Sequence, residues 1–502
     1  MPATVVVGQP DFTSKDENQG GSVSANGLSY PDGVLIIGDK LVVSDCSNHR
    51  VLIYNQVPTS NGALADVVIG QPNKTSSSAN QGLSNPTAYT LNCPGELGTD
   101  GTKLFITDYS NARVLIYNQL PTSDNASADV EIGAADMTHV GGNAPNAFFF
   151  YHPNGVSYDP GTGKLFIACG GANNFVYIYN TVPTANNAPA NVVVGQPDFA
   201  TKTPGNTAAK MNSPTSVHVI NGKLLVTDTI NHRVLIFNSI PTSNGASADL
   251  VIGQTNLTNN SDNQGGSTAA NTLSYPADLT YNGRYLMVTD DGNNRIVFYE
   301  GIPTTNNASA VLVLGQPDLQ GNGYNQNGNA ASNTIGDPFG GIVLYGSRII
   351  LGDSSNNRVL IYYDPPVVAQ AMAPTCGTPP PKAPDLFQID ATKNTATLYF
   401  TSAKPATYHL VSFATNETAE QFGGQWEVGS FDGIGRYTVN LLKPNTSYYF
   451  KVRGGNGCAT GEWSRIMKVK TAGSTNLGGI VYYAYSSVKQ YVSTLKLLGN
   501  VF

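Results

Sequence analysis

The chain aligns with itself in six registers. The run Asn48-His49-Arg50-Val51-Leu52-Ile53-Tyr54 returns with Arg113, Arg233, Arg295 and Arg358 in the arginine place. A sixth copy keeps Val176-Tyr177-Ile178-Tyr179 and has Phe175 where arginine belongs. Successive copies are 63, 62, 58, 62 and 63 residues apart. A second marker, of the form Val-Val-Gly-Gln-Pro-Asp, puts its glycine at Gly8, Gly70, Gly133, Gly195, Gly253 and Gly315. A third is a proline at Pro31, Pro86, Pro153, Pro214, Pro276 and Pro338. Repeats of this length are single supersecondary units that gain a core only by stacking on one another.

Each unit reads as four short strands. In the first these are Val34–Ile37, Leu41–Ser44, Val51–Tyr54 and Val67–Ile69, apolar runs bounded by turn residues such as Gly38-Asp39-Lys40. Four-stranded units stacked radially make a β-propeller. The order is permuted, because Val5–Val7 is a fourth strand with no unit before it and the sixth unit ends after its third strand, at Tyr362. The expectation is an all-β fold: a six-bladed β-propeller over residues 1–365, closed by the N-terminal strand. Asp45-x-x-Asn48-x-Arg50-Val51 after a Pro-x-Gly-Val strand resembles the NHL repeat, and five blades keep the Asp-x-x-Asn-x-Arg spacing. The resemblance implies a propeller of a family that includes RNA-binding, protein-binding and sensor modules and an amidating lyase, so the fold leaves the function open.

Charge narrows the partners. Residues 1–365 carry 15 Lys+Arg against 27 Asp+Glu, a net −12, whereas residues 366–502 carry 12 against 7, a net +5. An acidic domain repels phosphate backbones, whose binding rests on basic residues displacing counterions, so nucleic acid is excluded as a partner. No apolar run is long enough to span a membrane, and Met1-Pro2-Ala3-Thr4 runs into Val5 with no signal peptide visible.

The repeated Asp (45, 108, 228, 290, 353) and Arg (50, 113, 233, 295, 358) flank one turn in five blades. A residue needed in nearly every blade serves the blade: Asp caps the turn and Arg pairs with carboxylates or carbonyls. Enzyme signatures are thin. The four Glu of the propeller (17, 96, 131, 300) show no spacing suited to acid–base work, and the six His are scattered, with His49 and His232 in the variable place of the motif. The lyase of the resembled family uses a zinc site of several histidines, which this sequence does not assemble. Neither a metal site nor a cofactor is expected.

Beyond the propeller, Pro365, Pro366, Pro374 and Pro379-Pro380-Pro381 mark a stiff linker over 366–383. Strand-like runs follow over 384–471, and Leu442-x-Pro444-x-Thr446-x-Tyr448-x-Phe450-x-Val452 resembles the tyrosine-corner segment of a fibronectin type III domain. Phe400 stands in for that family's strand-B tryptophan. Residues 472–502 form a tail in which Val481, Tyr485, Val488, Val492 and Leu495 suit a helix or, with Tyr482 and Tyr483, a strand. The resemblance places Cys376 just before the module's first strand and Cys458 in its F–G loop, which implies a disulfide between them.

The departures from the repeat converge on blade three. Gly170 replaces the turn Asp, Phe175 replaces the Arg, and Gly133-Ala134-Ala135-Asp136 replaces Gly-Gln-Pro-Asp. Phe148, Phe149, Phe150, Tyr151 and His152 lead into its first strand, with Cys169 at the same end of the blade. Those aromatics either fill the space left by the missing Asp–Arg pair or, with Phe175, form a ligand-binding face; a Cys169/His152 nucleophile pair is the enzymatic version. The leading functional expectation is a non-catalytic extracellular or cell-surface binding and adhesion protein that offers the propeller's top face to a protein or glycan. The alternative is a hydrolase or lyase acting at the central funnel.

Overall fold

The computed structural model describes residues 1–362 except 143–145 and 347, residues 381–473 except 405, 407, 420–421, 427–432, 441 and 456–459, and residues 479–482. It is all-β: the described residues form antiparallel four-stranded sheets joined by loops and single 3₁₀ turns, with no α-helix among them. No helix of the described residues is long and apolar enough to cross a membrane. The chain divides into two compact units, residues 1–368 and 369–502.

Six sheets make up the first unit. Sheet one holds Pro31–Ile37, Lys40–Asp45, Arg50–Tyr54 and Val67–Ile69 in chain order, each antiparallel to the next. The first strands of the others are Pro94–Thr99, Pro153–Asp159, Pro214–Ile220, Pro276–Tyr281 and Ile342–Tyr345. β-Branched and aromatic residues dominate, and in all six sheets the first three residues of the third strand are wholly buried, as for Arg50, Val51 and Leu52. The sheets therefore bury both faces, which explains the near-continuous apolar runs. One sequence marker needs correction. Sheet two begins at Pro94, whose register partner is Asp108, as that of Pro31 is Asp45; Pro86 lies in the loop before it.

Sheet six is composed from both ends of the unit. Val5, Val6 and Val7 pair with Ile361, Leu360 and Val359, so the N-terminal strand stands where the other sheets have their own fourth strand. The first strands of successive sheets touch in order, and that of sheet six touches that of sheet one. Apolar clusters bridge neighbouring sheets, such as Val42, Ile53 and Ile69 with Leu97, Ile106 and Leu115. The arrangement is propeller-like.

The repeated Asp and Arg are structural in all five sheets that have them. Arg50 Nε lies 2.7 Å from Asp45 Oδ2, and the pairs in sheets two, four, five and six lie at 2.6–2.8 Å with neither partner exposed. Asp45 also accepts from Asn48 Nδ2 and the Ser29 N–H. The guanidinium of Arg50 donates onward to the carbonyls of Ser24 and Gly27 in the loop before the sheet and of Lys74 in the loop after it. One side chain thus ties both crossing loops to its sheet, which removes the penalty of five buried carbonyl-rich turns. In the Gln-Pro-Asp marker, Gln71 donates to the carbonyls of His49 and Ser78, as Gln9, Gln196, Gln254 and Gln316 do at their own places.

In the second unit two four-stranded sheets share one core. One runs Ile434–Val439, Ala396–Thr401, Leu386–Ala391, Gly479–Tyr482, and the other Phe422–Trp426, Tyr408–Ala414, Ser447–Gly455, Met467–Lys470. Leu386, Leu398, Phe400, Val411, Tyr448 and Phe450 pack between them. The Tyr448 hydroxyl accepts a 3.0 Å bond from the Lys443 N–H, tying strand to corner. Of the sequence-predicted tail, Gly479–Tyr482 is a strand paired with Leu386–Ala391.

Candidate functional site

At one end of the first unit, six equivalent residues precede the first strands: Tyr30, Cys93, His152, Ser213, Tyr275 and Asp337. All six adopt left-handed backbone, with φ between 49° and 61°. Non-glycine residues rarely do so, and the structure holds five of them there with a bond to the backbone; His152 is the exception, because the capping position of the sheet before it is Ala112. The side chain of the residue just before the repeated Arg accepts from the N–H of the pre-proline residue one sheet on: His49 Nδ1 from Cys93, Asn174 from Ser213, His232 Nδ1 from Tyr275, Asn294 from Asp337 and Asn357 from Tyr30. The variable place of the motif is therefore a cap for the neighbouring sheet, and burial lowers the pKa of both His49 and His232.

Each pre-proline residue stands at the junction with the residue that follows the turn Asp of the sheet before, and five kinds of contact occur at the six junctions. Cys46 and Cys93 form a disulfide. Tyr109 and His152 stack. Gly171 N–H donates to Ser213 Oγ at 3.0 Å. Thr229 Oγ1 donates to the carbonyl of Pro276, beside Tyr275. Asp291 and Asp337 bring two carboxyls together, and burial, then the neighbouring Asp337, raises the pKa of Asp291. Ser354 Oγ donates to the carbonyl of Pro31, beside Tyr30. Between sheets six and one a cavity of about 370 Å³ opens, lined by Lys15, Glu17, Tyr30, Tyr324, Ser355 and Asn357 among others. One backbone frame thus carries five kinds of junction, the hydroxyl-to-proline-carbonyl bond beside a Tyr occurring twice.

The six sequence-predicted site residues divide. Phe150 and Phe175 are wholly buried in the cluster that joins sheets two and three, and Phe175 stacks on Tyr177 at 4.2 Å. Phe175 stands in the place of the Arg, whereas Phe150 packs on Gly133 in the place that Leu28, Leu91, Met211, Leu273 and Ile335 hold elsewhere. Phe148 is 42% exposed, while Phe149, Tyr151 and His152 are half-buried, with Tyr151 tilted against His152. Cys169 is fully buried and burial raises its pKa well above the ordinary value, which leaves no nucleophilic thiol beside His152. Cys376 and Cys458 lie outside the described residues, so their predicted bridge does too. The Cys46–Cys93 bridge went unforeseen, because the displaced proline marker hid that Cys93 precedes the first strand of sheet two.

The same displacement hid the second cluster. Two residues past each proline stand Gly33, Glu96, Gly155, Ser216, Asp278 and Gly340, the first five in the first strands and Gly340 just before that of sheet six. With Pro94 as the marker, Glu96 falls level with Asp278. His218 lies two residues beyond Ser216 and so on the same side of its strand. His218 Nε2 lies 2.9 Å from Asp278 Oδ1 and 3.6 Å from Glu96 Oε1. Ser216 Oγ lies 2.7 Å from Asp278 Oδ1 and 3.2 Å from Glu96 Oε1. The far oxygens are fixed by the main chain of other sheets: Val156 N–H donates to Glu96 Oε2 and Ile342 N–H to Asp278 Oδ2. Burial, then the Asp278 charge, lifts the pKa of Glu96 to about 7. Burial, then the charges of Glu96 and Asp337, lifts that of Asp32 to about 8. Burial works against a charged His218, yet its bonds to Asp278 and Glu96 hold its pKa up at about 10. Asp278 is buried too, but its bond to His218 keeps its pKa below the usual value.

No protein-family model matches the sequence, and no curated protein matches it. Among solved structures, the computationally designed Ika8 protein shares 6% identity over 66% of this chain and 70% of its own, at a TM-score of 0.31. The nidogen/laminin complex shares 14% over 55% of this chain and 77% of the matched one, at 0.32. FN3tt shares 21% over 19% of this chain and 100% of its own, at 0.16. With TM-scores this low, these likenesses assign neither a family nor an activity to the chain.

Proposed function

We propose that this is a binding protein of the extracellular space or cell surface. In this reading residues 1–362 are a closed six-bladed propeller of the NHL-repeat type, and the second unit is a fibronectin type III-like sandwich. The end of the propeller bearing the pre-proline residues takes a protein or glycan ligand. The observation that carries the reading is the contrast within the rim: a left-handed backbone repeated at all six places presents five different residue types there, tyrosine twice. Partly exposed aromatics gather there, with Phe148 42% and Tyr275 44% exposed and Tyr109, Tyr151 and His152 half-buried. Such rings supply large contact area at small entropy cost to sugar faces and protein loops. The Lys443–Tyr448 bond and the two-sheet core support the fibronectin-like assignment. The Cys46–Cys93 disulfide supports an oxidising compartment.

A glycan array and a panel of purified extracellular proteins, probed with the full chain and with the double variant Phe148→Ala/Tyr151→Ala, test the proposal. The expected result is a ligand whose binding the double variant loses at an unchanged melting temperature. Binding that survives in the variant, or no ligand in either panel, overturns it. A second reading, an enzyme acting at the central cavity, is favoured by His218 held between two carboxyls; it requires turnover that His218→Gln abolishes.

A further inference from the structure

The chemistry at the centre of the first unit is independent of the rim. Three of the six innermost positions are glycine, and the three that carry side chains (Glu96, Ser216 and Asp278) come from sheets two, four and five and meet at one point with His218. We propose that Glu96, His218 and Asp278 bind a single divalent transition-metal ion of the zinc or manganese type, a role distinct from ligand capture at the rim.

Four observations support it. The donor set is one imidazole and two carboxylates, a mixture that suits zinc and manganese and that calcium and magnesium, which prefer all-oxygen shells, do not select. The spacing fits as well: donors about 2.0–2.2 Å from a tetrahedral ion stand about 3.3 Å apart. Here Nε2 of His218 is 2.9 and 3.6 Å from the nearer carboxylate oxygens, and all three donors lie within 4.8 Å of one another. Each carboxylate is oriented from behind by a main-chain N–H, Val156 on Glu96 and Ile342 on Asp278, which leaves one oxygen of each turned to the imidazole. Outer contacts of this kind fix a ligand's direction before the ion arrives. Finally, neighbouring glycines make the room: a Cβ on Gly155 would sit 2.6 Å from Glu96 Oε2, and one on Gly341 would sit 3.3 Å from Asp278 Oδ2. A cavity of about 20 Å³ beside the cluster, bounded also by Asp32, Asn154 and Phe339, has room for one water-sized further ligand.

A purely protein arrangement competes with this one: an imidazolium clamped between two carboxyls with Ser216 as bridge. The two differ in whether an ion displaces the proton. The test uses the full chain, stripped with a chelator and dialysed, then titrated with Zn²⁺ and with Mn²⁺ by calorimetry, with bound metal counted by mass spectrometry. One equivalent of either ion per chain, weakened at least about tenfold in both Glu96→Gln and His218→Gln, is the expected result. Melting curves in chelator establish that each variant is folded. If the stripped wild type takes up neither ion, the site is a protein-only clamp and the proposal fails. Uptake that both folded variants retain places the ion elsewhere and overturns it equally. Should one variant fail to fold, the other, with Asp278→Asn, decides the same question.

Discussion

The imidazole of His152 lies flat on the ring of Tyr109, with centroids 4.3 Å apart and planes 10° from parallel. Those two residues hold the places that Cys46 and Cys93 hold one junction earlier, where the link is covalent. A ring stack and a disulfide therefore perform the same joining of neighbouring sheets, with very different strengths.

That difference is measurable. Replacing Cys46 and Cys93 together by Ser opens a link between residues 47 apart in sequence and should cost about 2–4 kcal/mol. Calorimetric unfolding reads the loss. Peptide mapping of the native, non-reduced protein should recover the two peptides joined, with Cys169 alkylated only after denaturation. Free native Cys46 and Cys93 would contradict the bridge.

The aromatic run before sheet three should split by burial. Phe150→Ala removes a wholly buried ring from the cluster joining sheets two and three and should cost about 3–5 kcal/mol. Phe148→Ala, at a 42% exposed position, should move the melting temperature little. Similar losses for the two would mean that the loop packs differently from its description.

Sheet three dispenses with the Asp–Arg pair, and the other sheets can be made to imitate it. Arg233→Phe leaves Asp228 buried and uncompensated beside the bonds it makes to Asn212 and Asn231, a loss of about 3–5 kcal/mol. Adding Asp228→Gly, the Gly/Phe combination of residues 170 and 175, should recover part of that stability. A double variant as unstable as the sum of the singles would show that the two residues do not act as a pair.

Glu131 supplies a pH dependence. It is fully buried where the other sheets carry Val, its Oε1 accepts from the Ala134 N–H, and burial raises its pKa from 4.5 to about 7. Folding therefore favours the protonated carboxyl. The stability it contributes is complete below pH 4.5, falls as pH rises through 7 and is then constant, with a total change on the order of 3 kcal/mol. Glu131→Gln should remove this slope, raising the melting temperature at pH 8 and leaving it nearly unchanged at pH 4. Parallel curves for variant and parent would exclude the assignment.

Much of the fold was legible because each sheet repeats its own punctuation. Val51, Leu52 and Ile53 are buried on both faces of sheet one, so their apolar run survives in every copy, and the Asp45–Arg50 pair recurs for the same mechanical reason. The site was harder to read. Glu96, His218 and Asp278 belong to three sheets and come together only through the radial stacking, so no spacing along the chain relates them. A single displaced marker, Pro86 for Pro94, was enough to put Glu96 and Cys93 out of register with their counterparts. Asn18 and Gln19 show another limit: both take left-handed backbone, and Asn18 trades amide bonds with Asn48, a motif repeated at Asn80, Asn263 and Asn325 that polar composition alone labels as loop.

Deleting residues 1–12 should expose the edge of Arg358–Tyr362, lower the melting temperature and promote association through that edge. A truncated chain that melts with the parent and stays monomeric would show that Val5–Val7 contribute nothing to sheet six.

The pairing of Val5–Val7 with residues 359–361 also sets a clock on synthesis. Made some 350 residues before residues 359–361, these three valines wait for their partner through an interval on the order of 20–70 s at about 5–20 residues per second. Through that time sheets one to five can each assemble from strands close together in sequence, while the apolar strand Val5–Val7 stays unpaired and the place it will fill does not yet exist. The step that completes the unit is the last to become possible, and the nascent chain is most open to chaperones, and to pairing with a second copy of itself, just before it.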